Sequence, residues 1–204
     1  SFVREKVEQL DFISVRENIG KELLEGIGVS KHVNHVLDPA FLLTPEEWNN
    51  VTLDIDFSED YLLIYDFDNS ALIKQIALKI ASQKSLKIYT VNPGKFNYAD
   101  KKFNNVGPDM FLTLVKNAQY IISNSYHAVV FSIIYKKEFF IVNRTEVINM
   151  RMCDLVNLLG LGNRMVSNLS EINLNNKINY NAIKLQKHIN FSKEFLKNIL
   201  IDGD

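Results

Sequence analysis

The chain is poor in cysteine, with one among 204 residues. Cys153 falls in a helical pattern and has no partner for an internal disulfide, so a reducing compartment is expected rather than secretion. No apolar run approaches the roughly 18 residues a membrane span needs, and no secretory signal pattern opens the sequence. The expected place is the cytoplasm, including peripheral contact at the inner face of the membrane. Neither sign of charge dominates: 23 basic residues face 24 acidic ones, for a net charge of −1. That balance gives no reason to expect nucleic acid. There is no G-x-G-x-x-G or G-x-x-x-x-G-K-[ST] phosphate loop and no G-x-S-x-G nucleophile elbow. No Cys/His cluster has metal spacing, and His32 with His35 is too little for a metal site. No cofactor and no metal is expected.

What is present is a core and an alternating pattern. Apolar residues make up 47% of the chain. Strand-like runs at 12–15, 33–37, 61–65, 86–91, 120–122 and 139–142 alternate with helical patterns at 17–26, 44–50, 70–83, 108–117, 126–135 and 147–159. Tyr61-Leu-Leu-Ile-Tyr65 is apolar throughout, as a parallel strand covered on both faces requires. Ile73, Ile76, Ala77 and Ile80 recur at helical spacing. A closing helix is predicted over 179–200, with a seam of Ile178, Ala182, Leu185, Ile189, Leu196 and Ile199. The stretch 92–105 reads as a polar loop. Alternation of this kind implies an α/β fold, a mainly parallel sheet with helices on both faces.

In such sheets ligands bind at the carboxyl ends of the strands. Four polar sites fall there: Arg16-Glu17, Asp38-Pro39, Asn124-Ser-Tyr-His127 and Asn143-Arg144. The first three also have a purely structural reading. Ser14-Val-Arg-Glu17 matches a capping box, which accounts for Ser14 and Glu17 and leaves Arg16 for an anion. Asp38 before proline suits a turn. Asn124 and Ser125 suit helix caps, and His127 in the first helical turn suits either an anion-facing acid/base group or a core histidine. Arg151 lies on an amphipathic helix, by default at the solvated surface.

Taken together, Ile13-Ser-Val-Arg-Glu17, Val36-Leu-Asp-Pro39, Gly107-Pro-Asp-Met-Phe111, Ala118-Gln-Tyr-Ile-Ile-Ser-Asn-Ser-Tyr-His127, Phe139-Phe140, Arg151 and Leu158-Leu-Gly-Leu161 with Arg164 resemble the polysaccharide pyruvyl transferase family. The resemblance runs in order over roughly residues 9–165. The family pattern Ser-Phe-His-Gly is here Ser-Tyr-His-Ala, and Ala128 is expected to narrow approach to the helix.

The resemblance implies a Rossmann-like sheet like the C-terminal lobe of a GT-B-like two-domain enzyme. Residues 1–204 would form one such domain. Within it, 1–30 would be a linker or the end of an absent N-terminal lobe, and 179–200 the closing helix. The start at Ser1 fits sequence missing upstream. The implied bacterial transferase moves a pyruvyl group from phosphoenolpyruvate to a sugar or lipid-linked saccharide, forming a ketal in polysaccharide biosynthesis. His127 would be catalytic, and Arg16, Asn124, Ser125 and Arg151 substrate-binding. The alternatives are a nucleotide-sugar glycosyltransferase lobe and a non-catalytic binding module.

Overall fold

The computed structural model describes residues 1–91, 96–143 and 146–202, with backbone alone at 146–149 and 202. The short helix α1 (Phe2–Val7) leads into β1 (Ile13–Val15), α2 (Asn18–Gly26) and β2 (Val33–His35). β1 and β2 pair in parallel as a separate two-stranded sheet. It has its own small core of Ile13, Val29 and Val33. A 3-10 turn (Pro39–Leu42) and α3 (Pro45–Asn49) then connect to the main unit.

The main unit runs β3 (Tyr61–Tyr65), α4 (Ala71–Lys84), β4 (Lys87–Thr90), β5 (Lys101–Lys102), α5 (Pro108–Asn117) and β6 (Tyr120–Ser123). It continues through α6 (Tyr126–Ile134), β7 (Glu138–Val142), α7 (Glu146–Leu158) and β8 (Met165–Val166), and α8 (Leu185–Asp202) follows. The six strands are all parallel in the order β5-β4-β3-β6-β7-β8. The chain steps outward from β3 to β5, then returns to the other side of β3 with β6. The strand order therefore reverses between β3 and β6, the place where open α/β sheets bind ligands.

The two-residue period of a strand sorts the core. Tyr61, Leu63, Ile121, Phe139 and Ile141 pack with α5, α6 and α7 on one face. Leu62, Ile64, Ile122, Phe140 and Val142 pack with α4 on the other. The predicted α4 face is the buried one: Ile73, Ile76, Ala77 and Ile80 are all fully covered. Fully burying one such side chain contributes about 1.5–3 kcal/mol. α6 is apolar all round because it is enclosed, with Ala128 through Ile134 buried.

Four expectations need correction. The presumed loop 92–105 contains β5 at Lys101–Lys102, while 92–95 fall outside the described residues, as does Arg144 of the presumed site at Asn143. β8 was not expected. The strands at 12–15 and 33–37 form their own sheet instead of joining the main one. α8 begins at Leu185, not 179, and its inward seam carries Ser192 and Phe195 where Leu196 was expected; Leu196 is exposed. The Ser192 hydroxyl explains the seam. It accepts from the Leu37 amide at 2.9 Å and donates to the His188 carbonyl at 2.8 Å, fixing α8 across the end of β2.

Candidate functional site

The loops after β3 and β6 are latched to each other by buried polar groups. The Asp66 carboxylate accepts from the Asp68 amide at 2.9 Å and the Ser70 amide at 2.7 Å. Asn124 spends both ends of its side chain on the same loop. Its carbonyl accepts from the Phe67 amide at 3.1 Å, and its amide donates to Asp66 at 2.8 Å and Asp68 at 3.4 Å. The Ser123 hydroxyl donates to the Tyr65 carbonyl at 2.6 Å and accepts from the Ser125 amide at 2.9 Å. The expected caps are thus not caps in action. Asn124 is an inter-loop latch, and Ser125 holds the N-cap position of α6 with no side-chain capping bond.

His127 lies one residue into α6 and is exposed, not a core histidine. It lines a cleft of about 380 Å³ with Tyr65, Phe67, Phe111, Ser125 and Phe131. Its ring meets Tyr126 edge-on, centroids 5.5 Å apart. Ala128 does not narrow the cleft as expected: it is wholly buried in the core and does not line the opening. Phe111 packs against the core and also lines the cleft, its ring against Tyr65 and Phe131.

Beside Tyr126 stands a cluster of four charges. Arg16 donates to Asp38 at 2.7 Å and to Glu17 at 3.2 Å, and its guanidinium lies over the Tyr126 ring at 5.4 Å. Arg151, reaching from α7, pairs with Glu17 at 3.2 Å. Burial opposes the charge on Arg16, but the hydrogen bond and field of Asp38, with smaller contributions from Tyr126 and Glu17, outweigh it and raise its pKa. Burial also pushes the Tyr126 phenol well above its ordinary value. Asp38 and Glu17 add to that shift and Arg16 and Arg151 oppose it, so the ring is neutral at physiological pH.

Arg16 and His127 therefore both meet Tyr126, the first residue of α6, with Arg151 joined to Arg16 through Glu17 and Ser125 beside His127; Arg16 lines one cavity and His127 another. Arg16 and His127 each contact Tyr126, so they are no farther apart than those two steps laid end to end. The sequence reading missed Glu17, Asp38 and Tyr126 as members of this cluster. Ser14 is the reason for the first: it is held in β1 opposite Asn34, so no capping box forms and Glu17 is released to the arginines. Asp38 does form its turn, accepting from the Ala40 amide at 3.0 Å, and uses its second oxygen for Arg16. The arrangement offers two planar cations matched to carboxylate or phosphate, a helix N-terminus favouring negative charge, and an accessible imidazole. Among the described residues no group of three His, Cys, Asp or Glu is placed to hold a metal ion, and no helix is long and apolar enough to cross a membrane.

Comparison with curated proteins finds no match. Among solved structures, the glycotransferase of kitacinnamycin is similar at 10% identity over 60% of this chain, with a TM-score of 0.40; the chain spans 34% of that protein's length. A family model described as polysaccharide pyruvyl transferase matches residues 1–146, which takes in Arg16, Asp38 and the whole of the β6–α6 turn. The chain belongs to the polysaccharide pyruvyl transferase family.

Proposed function

We propose that this chain is the C-terminal lobe of an enzyme that transfers a pyruvyl group from phosphoenolpyruvate to a sugar, closing a ketal across two hydroxyls. The observation that carries the reading is the convergence of Arg16 and Arg151 with the exposed His127 at the N-terminus of α6, inside a chain of this family. In this reaction C3 of the enol gains a proton and one sugar hydroxyl bonds to C2. A second hydroxyl then takes the place of the departing phosphate on the same carbon. His127 is the group that moves protons, a role that typically contributes about 10²–10⁴-fold. Arg16 and Arg151 hold the donor's carboxylate and phosphate. Ser125 lies in the cleft with His127 and is available to either substrate. Asn124 serves the site by fixing the turn. The acceptor is a sugar or lipid-linked saccharide, and a preceding lobe supplies the opposite wall of the cleft.

The test uses the protein with its native flanking sequence. Thermal shift with phosphoenolpyruvate, and separately with nucleotide-sugars, is expected to respond to the first alone. His127→Ala should lower turnover by roughly 10²-fold or more with the fold intact. Arg16→Lys should chiefly weaken donor binding, because an ammonium keeps the charge but loses the bidentate fork. Full activity in His127→Ala, or a response to nucleotide-sugars alone, overturns the assignment.

A further inference from the structure

Resting on the reading of Arg16 and Arg151 as donor-binding cations, we propose that Glu17 is a built-in competitor for the donor. Its carboxylate bridges the two guanidiniums and swings out when a donor carboxylate or phosphate takes its place. The geometry is specific. A single oxygen, Oε1 of Glu17, lies 3.2 Å from Nε of Arg16 and 3.2 Å from Nε of Arg151. An anion shared by two arginine forks is the arrangement a donor anion would adopt.

Three observations separate a competitor from a residue that merely orients Arg16 or caps α2. Arg16 does not need Glu17 for its position, since Asp38 at 2.7 Å and the Tyr126 ring at 5.4 Å already hold it. Nor is Glu17 needed to cap α2. It occupies the N-cap position without a side-chain capping bond, and Asp154 of α7 accepts from the Ile19 amide at 3.3 Å. The two carboxylates also differ in freedom: the Asp38 side chain is 5% exposed and that of Glu17 18%. With both carboxylates in place the two arginines are neutralised, and the cluster has no net attraction for an anion. Glu17 is the one that can return to water and leave a positive site behind.

The experiment compares wild type with Glu17→Gln, which keeps the shape and removes the charge, in the protein with its native flanking sequence. Calorimetric titration with phosphoenolpyruvate is expected to show binding tightened by roughly three- to ten-fold, as removal of two partly exposed ion pairs implies. Glu17→Ala serves as the second variant and should shift affinity in the same direction. If wild type binds phosphoenolpyruvate and both variants, melting normally, bind it equally or less well, Glu17 is an orienting residue and the inference falls while the donor assignment stands. Inorganic phosphate is the second probe. If phosphoenolpyruvate does not bind but phosphate binds the variants more tightly than wild type, the competitor role stands and the donor assignment falls. If phosphoenolpyruvate does not bind and phosphate binds the variants no more tightly than wild type, both fall.

Discussion

Asn124 shows how a polar side chain at the strand ends can be taken up in holding two loops together. It is 1% exposed, and its carbonyl and amide join the β3 and β6 loops through Phe67, Asp66 and Asp68. Removing it takes away its bonds to the Phe67 amide and to the Asp66 and Asp68 carboxylates, and losing such bonds at a buried side chain costs about 1–3 kcal/mol. Asn124→Ala is therefore expected to lower unfolding stability by that amount in urea titration; an unchanged midpoint would make Asn124 a ligand-facing residue instead. Sequence legibility was uneven at this scale. The pattern Ser/Thr-x-x-Glu occurs at both Ser14 and Thr44. At Thr44 both capping bonds form, while at Ser14 strand pairing takes the residue first. Local chemistry alone does not distinguish them. His127 was ambiguous for a related reason: α6 is apolar almost throughout, so periodicity could not show that its first turn opens onto a cleft.

At the scale of elements, α8 is anchored by polar as well as apolar contacts. Its buried contact to the chain end of β2 runs through Ser192, and a few residues earlier His188 shares a cavity with His35, Lys187, Leu158 and Phe191. Burial lowers the His188 pKa from its ordinary 6.5, and the neighbouring Lys187, His35 and Lys184 charges lower it further. The sign follows directly. Above 6.5 the imidazole is neutral whether the chain is folded or not, so it costs nothing. As pH falls through that value the unfolded chain takes up a proton that the folded one resists, and stability is lost. Melting temperature should drop between pH 7 and pH 5, and His188→Gln should reduce that drop; parallel curves for the two proteins would refute the linkage. The helix itself was legible from its length and spacing. Its start was not, because 179–184 has the residues of a helix but is folded as turns.

At the scale of the whole molecule, the candidate site lies on a seam. Arg16, Glu17 and Asp38 come from the small β1–β2 unit and the chain leaving it, whereas Tyr126, His127, Arg151 and Asp154 come from α6 and α7 on the six-stranded sheet. The parallel sheet itself was readable because apolar runs such as Tyr61–Tyr65 and Phe139–Val142 have few alternatives. The seam was not, since a sequence shows which segments are strands but not which strands pair. The edge strands were hidden too: β5 consists of two exposed lysines, and β8 of two residues.

A site built across a seam has a consequence for binding. Among the described residues the two sides are joined near it by the Glu17–Arg151 pair, the Arg16–Tyr126 contact and the bond from the Ile19 amide to Asp154. These are partly exposed links, each weak alone. An anion held by Arg16 on one side and Arg151 on the other strengthens the joint from both. Segments whose local opening is linked to ligand binding exchange their amide hydrogens more slowly once the ligand is bound. Phosphoenolpyruvate is therefore expected to slow hydrogen exchange together in residues 14–20 and in the first turn of α6 at 126–130, read by mass spectrometry of peptic fragments. Slowing confined to one of the two segments would place the donor on one side of the seam and remove the argument for a shared site.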